Sequence, residues 1–247
     1  MKILIVGCSV VRGAYIETPS WAEMVKQDTK HEVDMIQSNG MGNEYISHMI
    51  LQNIKNYDAF ITVWSPADGR DICYSDRKKV KLFSSSGCTS KENDNLWVHA
   101  GGFNGSWNVE QTEPVFRPYF KNQFDVIDSW YNMLSRILLV NHMLKNKHQL
   151  NLFYSDTLEK TPDGVYDKNL PKDYNRERWE KFKEQCSYVE HIDWDTFWLH
   201  KNEHSNTGGL VQYCHDNSDT TGTHPSPEGH KSIFQNIIKP WLDKYNA

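Results

Sequence analysis

The sequence predicts an α/β protein built on a mainly parallel sheet with helices on both faces. Three observations carry that reading. The chain opens on a short apolar run rich in β-branched residues, strand and helix signals alternate through its first third, and an amphipathic helical pattern closes it. At 247 residues the chain is long enough to bury a substantial core, and one domain spanning residues 1–247 is expected.

Taken in order, residues 2–6 (KILIV) form the first strand, which ends at Gly7. Residues 19–27 open with Pro-Ser and carry Trp21, Met24 and Val25 at helical spacing. A second strand follows at 33–36. Residues 43–54 then place Ile46, Met49, Ile50 and Ile54 on one helical face, and 57–64 (YDAFITVW) give a third strand. Strands alternating with helices imply parallel pairing. From about 66 to 118 regular patterning gives way to Gly, Ser, Asn, Asp and scattered aromatics, a stretch long enough to be either a cover over a site or a surface elaboration. Helical spacing returns at 121–146 through Phe124, Ile127, Tyr131, Leu134, Leu138 and Met143, and an apolar strand follows at 150–154. A second insertion, about 157–187, holds a polar turn (KTPDG) and a charged helix (RERWEKFKEQ) that reads as a solvated surface element. Residues 188–192 read as a last short strand. Residues 225–245 form an amphipathic helix interrupted or ended near Pro240.

Composition excludes several classes of function. With 27 basic and 32 acidic residues well mixed along the chain, nothing marks a nucleic-acid or anionic-membrane partner. No apolar stretch approaches the roughly 18 residues of a membrane helix, and the N-terminus is wrong for a signal peptide, so a soluble cytoplasmic protein without membrane insertion is expected. Five scattered cysteines fit neither a disulfide framework nor a zinc knuckle. Gly7 and Gly13 have neither the dinucleotide nor the P-loop spacing, and no Gly-Lys-Ser/Thr follows, so no organic cofactor is expected. His200 and His204 are four apart but lack the His-Glu-x-x-His pattern, and no metal is expected. The nine tryptophans read chiefly as core and rim, with Trp97, Trp107, Trp194 and Trp198 available for stacking on sugars. No feature specifies an oligomeric state.

The chemistry is expected at the carboxyl end of the first strand, where ligands bind in open parallel sheets. There Gly7-Cys8-Ser9 permits a tight strand-to-helix turn that presents a hydroxyl. A weakly acidic hydroxyl needs a base, and His224, in a loop just before Pro225 and the last helix, is the histidine best placed to be held rigidly beside a cleft. His230 lies inside that helix and takes a supporting role. A carboxylate should orient the imidazole; Asp219 and Asp216 precede it by five and eight residues. Cys8 is an alternative nucleophile by chemistry alone, but adjacent side chains leaving a strand point in opposite directions.

Gly7-Cys8-Ser9, then Ser38-Asn39-Gly40-Met41-Gly42-Asn43, then His224-Pro225 with Glu228-Gly229-His230, in this order, resemble the SGNH (GDSL-like) hydrolase superfamily over most of the chain outside the two insertions. The resemblance implies a flavodoxin-like three-layer α/β/α sandwich that cleaves esters, often acyl groups on carbohydrates or lipids. It implies Ser9 as nucleophile, His224 as base and Asp219 as the nearest carboxylate. It also implies an oxyanion hole from the backbone N–H of Ser9 with that of Gly40 or Gly42. Three positions depart from the family pattern. Cys8 stands for the usual aspartate, Thr221 stands where an aspartate precedes the histidine by three, and the Gly-x-Asn-Asp after the third strand is replaced by Trp64-Ser65-Pro66-Ala67-Asp68-Gly69-Arg70. Asn43, Ser65 or Arg70 would then stand in as oxyanion or substrate donors. Divergent phage-encoded members with a Trp-Ser/Thr…Arg third segment look similar. The expected substrate is a small-molecule or carbohydrate ester; the alternative is a carbohydrate-binding or virion-associated module that keeps the fold without turnover.

Overall fold

Burial along the first strand dictates the architecture. In β1 (Lys2–Gly7), Leu4 and Val6 enter one core while Ile3 and Ile5 enter another, so both faces of the strand are covered. The computed structural model describes residues 1–13, 16–28, 30–67, 70–74, 89–92, 95–100, 125–156, 158, 174–203, 205–221 and 224–245. The further strands in chain order are β2 (Glu32–Gln37), β3 (Ala59–Trp64), β4 (Arg70–Tyr74), β5 (Thr89–Glu92), β6 (Asn95–Ala100), β7 (His148–Phe153) and β8 (Phe197–Trp198). Two small antiparallel pairs follow, β9 (His200–Asn202) with β10 (Ser205–Gly208) and β11 (Thr220–Thr221) with β12 (His224–Pro225).

The central sheet runs β2-β1-β3-β7-β8, all parallel. Counted within the sheet, this is the 2-1-3-4-5 order of flavodoxin-like doubly wound folds, whose strand order reverses between β1 and β3. One layer holds α3 (Asn43–Asn53), α4 (Val126–Met143), α5 (Tyr174–Gln185) and α6 (Ser187–His191), packed through Ile46, Ile50, Trp130, Ile137 and Trp179. The other holds α1 (Ser9–Arg12), α2 (Trp21–Asp28), α7 (Leu210–Asp216) and the C-terminal helix, packed through Val10, Trp21, Val25, Leu210, Ile233 and Ile237. The expected α/β/α sandwich is the observed fold. Glycine is required where β1 turns into α1, because a Cβ on Gly7 would lie 2.7 Å from Val11 Cγ2 and 2.8 Å from Val63 Cβ. Among the described residues no helix is long and apolar enough to cross a membrane.

The structure differs from the sequence reading in three places. The first insertion contains regular structure, an antiparallel sheet ordered β4-β6-β5, although its residues 75–88 and 101–124, with Trp107, lie outside the described residues. The charged helix α5 is no mere surface element. Its Trp179 and Phe182 are 2% and 4% exposed and pack with Trp130, ring centroids 5.4 Å apart in each case. The turn KTPDG lies outside the described residues. Residues 188–192 are not a strand, because Cys186, Val189 and Ile192 reach the core at three-residue intervals along a helical path; the last strand of the central sheet is β8. The C-terminal helix is interrupted near Pro240, one of the two outcomes expected for it. It runs as α8 (Pro227–Ile233), a π turn over Phe234–Ile238, and α9 (Lys239–Asp243). Pro240 has no N–H for the preceding turn, and the helix widens just before it, with Lys239 N–H donating to the Phe234 carbonyl.

Since the Trp179 indole fills part of one core, Trp179→Ala should lower stability by about 3–5 kcal/mol in urea denaturation. A solvated surface helix would change it by less than about 0.5 kcal/mol.

Candidate active site

Ser9 is the first residue of α1, immediately beyond β1, with its side chain at the carboxyl edge of the sheet and 5% exposed. As a first-turn residue its N–H has no intrahelical acceptor, and it donates to no described residue. Cys8 is buried beside it. Its buried thiol lies against Ser9 and Ser65, and burial pushes its ionisation up, so it stays a protonated packing group.

His224 arrives from the far end of the chain. In the β11–β12 pairing Thr221 stands opposite it, and α8 starts two residues after Pro225 with the Ser226 Oγ accepting from the Gly229 N–H at 3.1 Å. This short pairing and capped helix hold a 5% exposed imidazole rigidly. The Ser9 hydroxyl and His224 Nε2 share a hydrogen bond at 2.9 Å, across 215 residues of sequence. Burial pulls the imidazole below its ordinary value, which favours the neutral form able to accept the hydroxyl proton. His230, one turn further on, is fully buried; its Nδ1 accepts from the Trp21 N–H at 3.2 Å, and burial together with nearby His224 lowers it to about 4.

The carboxylates divide. Asp216 accepts from His200 Nε2 at 2.6 Å and Asn202 Nδ2 at 2.7 Å, so it serves another cluster and does not support His224. Asp219 stands at the foot of the hairpin, its N–H donating to the Cys214 carbonyl and its carbonyl accepting from the Ser226 N–H. His204 lies outside the described residues, and the described residues gather no group of three side chains suited to a metal ion.

The donors expected for an oxyanion are differently disposed. Gly40 has φ +67°, and its N–H donates to no described residue. Gly42 N–H donates instead to Asp71 Oδ1 at 2.8 Å, which removes it from the expected role. Asn43 is likewise engaged. Its Nδ2 donates to the Ser65 carbonyl at 3.0 Å and its Oδ1 accepts from the Ser65 N–H at 2.9 Å, while Ser65 Oγ donates to the Met41 carbonyl. Asn43 and Ser65 therefore lock the turn after β2 to the end of β3 and offer no free side-chain donor. Arg70 begins β4, paired with Ala100, and its side chain lies outside the described residues.

Sequence reasoning missed Asp71, His99 and Tyr154. Asp71 Oδ2 accepts from the Tyr45 N–H at 2.7 Å as Oδ1 does from Gly42, so a carboxylate from the insertion caps α3. His99 Nδ1 lies 2.7 Å from Asp71 Oδ1, both side chains wholly buried, and the two residues are partners in the β4–β6 ladder. A Cβ on Gly42 would lie 2.8 Å from the Asp71 carboxylate, so the approach needs glycine. The available signal was the short alternating run LWVH at 96–99, which fits an edge-covered strand. Tyr154, just beyond β7, sets its ring edge-on to His224 with centroids 5.9 Å apart.

No protein-family model and no curated protein matches the chain. Among solved structures it is similar to a member of the lipolytic protein G-D-S-L family from Veillonella parvula, with TM-score 0.43, 10% identity and 96% of each chain covered. It is also similar to a proposed acylhydrolase from Bacteroides fragilis, with TM-score 0.44, 11% identity, and 98% of this chain and 87% of that one covered. Both likenesses are remote, and the chemistry of the site rests on Ser9 and His224 themselves.

Two stability consequences follow. Asp71→Ala removes the acceptor shared by two part-buried N–H groups and the His99 imidazole, and should cost on the order of 3 kcal/mol in denaturant titration. His230 binds its proton near pH 6.5 when unfolded but only near pH 4 when folded. Stability should therefore fall as the pH drops between those values, by roughly 3 kcal/mol in all. A His230→Asn variant, which keeps an acceptor for the Trp21 N–H, should lose that part of the pH dependence.

Proposed function

We propose that this chain is a divergent serine hydrolase of the SGNH type that cleaves carboxylic esters, as a small-acyl esterase or an O-deacetylase of acylated carbohydrates. The observation that carries the reading is the buried 2.9 Å hydrogen bond between the Ser9 hydroxyl and His224 Nε2 at the carboxyl edge of the sheet. In this reading His224 takes the Ser9 proton as Oγ attacks the ester carbonyl carbon. It returns that proton to the departing alcohol, leaving an acyl group on Ser9. Water, deprotonated by the same imidazole, then releases the acid. The N–H groups of Ser9 and Gly40 receive the developing oxyanion, each donor of this kind typically contributing roughly 3 kcal/mol. Asp219 is assigned to steady the imidazole on its place at the foot of the hairpin. The reaction as written uses no cofactor.

One observation favours a second reading, a binding module with the same fold and little turnover: the Gly42 N–H and the Asn43 amide are both engaged within the protein. The two readings part on reactivity. A fluorophosphonate probe should label Ser9 and p-nitrophenyl acetate should be hydrolysed. Ser9→Ala should abolish both, and His224→Gln should slow turnover by about a thousandfold or more. Because burial holds His224 low, its neutral form persists to lower pH, and the acid limb of the activity profile should have its midpoint below the ordinary histidine value of about 6.5. A wild-type protein no faster than Ser9→Ala across short acyl chains would sink the enzyme reading in favour of the module.

A further inference from the structure

Tyr154 occupies a position that the reaction above does not use. Its backbone is fixed from two sides. The N–H donates to the Trp64 carbonyl at 2.8 Å, extending the β3–β7 ladder by one residue, and the carbonyl accepts from the Val211 N–H at 3.0 Å at the start of α7. Its ring packs against both hydrophobic cores, which only a side chain at the end of the sheet can do. From there it meets the His224 imidazole at an interplanar angle of 71° with centroids 5.9 Å apart, an edge-to-face contact.

The imidazole belongs to a two-residue strand, and the Ser9 bond requires Nε2 to face the hydroxyl. We infer that Tyr154 is a positioning residue for the base, its ring fixing the tilt of the His224 imidazole toward Ser9 and shutting water away from it. The inference rests on the esterase reading for its catalytic meaning but concerns the state of His224 itself. Among the described residues, the titratable groups packed around His224 have other roles. On the C-terminal helix His230 is neutral, with Glu23 of α2 acting on His230 rather than on His224, and Glu228 is exposed. On the α7 side Asp219 acts on Cys214, and Asp216 is held by His200. The depression of His224 comes from burial, the quantity an aromatic lid over the imidazole controls.

The test uses the full chain with Tyr154→Phe and Tyr154→Ala. Two readouts apply: NMR titration of the His224 ring, assigned by its loss in His224→Gln, and the pH dependence of fluorophosphonate labelling. Tyr154→Phe keeps the ring and should match the parent in both. Tyr154→Ala admits water, so the His224 midpoint should move up toward 6.5, and labelling near neutral pH should slow by at least about tenfold through lost alignment. Should the truncation not fold, Tyr154→Leu retains apolar bulk without the flat edge and should show the same upward movement. A folded Tyr154→Ala or Tyr154→Leu protein with the parent midpoint and labelling rate would overturn the inference. If the parent itself is not labelled at Ser9, the esterase reading fails, and the NMR midpoint alone still decides the role of Tyr154.

Discussion

The packing of the C-terminal helix against the sheet is what brings residue 9 and residue 224 into one hydrogen bond. Closing a loop of that length costs about 5 kcal/mol of chain entropy by the logarithmic estimate, and one neutral hydrogen bond returns only about 1 kcal/mol. The bond therefore cannot hold the ends of the chain together; the packing does. Ile233, Ile237, Ile238, Trp241 and Leu242 of the C-terminal helix are all buried against the sheet, and each such side chain contributes roughly 1.5–3 kcal/mol. Several of them together exceed the closure cost, with the Trp21–His230 bond pinning the same layer to α2. The Ser–His pair is thus a product of the outer helical layer, set in place by residues that take no part in the chemistry.

A second constraint acts on the turn after β2. Asp71 comes from the first insertion and lies against the N-terminus of α3, where unsatisfied N–H groups and the helix dipole favour an anion. Its partner His99 comes from the neighbouring strand of the same insertion. Tyr45 packs at a tilt against both His99 and Trp97, ring centroids 5.1 Å apart in each case, so the insertion sheet and α3 form one packed unit. This unit draws the Gly42 N–H away from the cleft and closes Asn43 onto Ser65. The insertion serves as scaffold for the turn beside Ser9, a role that neither a detached cover nor a surface ornament would have.

How much of this is legible in the sequence follows from how local each feature is. The run KILIV, the helical face of Ile46 and Ile50, and the apolar run ending at Trp64 declare themselves within a few residues, and the elements stand where those patterns put them. Ser9 and His224 emerge because each sits in a short motif with its own turn chemistry, although nothing local says that they meet. Residues 188–192 misled because Tyr-Val-Glu-His-Ile suits a strand until the spacing from Cys186 is counted. Asp71 was hidden for a different reason. Its role needs a ladder partner 28 residues away and an α3 terminus in another layer, and no window of sequence holds all three. Tyr154 is an ordinary strand-end aromatic until the fold brings position 224 beside it.

In the proposed ester hydrolysis, the burial of His224 would have opposing effects. It keeps the imidazole neutral and ready to accept the Ser9 proton, yet it also disfavours the imidazolium that forms once the proton has moved. The penalty is smallest if an opposite charge appears nearby at the same moment, and the tetrahedral oxyanion on the Ser9 adduct is such a charge. In a water-poor site the attraction between imidazolium and oxyanion is stronger than in bulk solvent, so burial that opposes isolated protonation favours coupled proton transfer and attack. This places the demand on the oxyanion donors. With Gly42 and Asn43 engaged elsewhere, the proposed reaction would place most of that demand on the N–H groups of Ser9 and Gly40, whose aim at the oxyanion would then limit it.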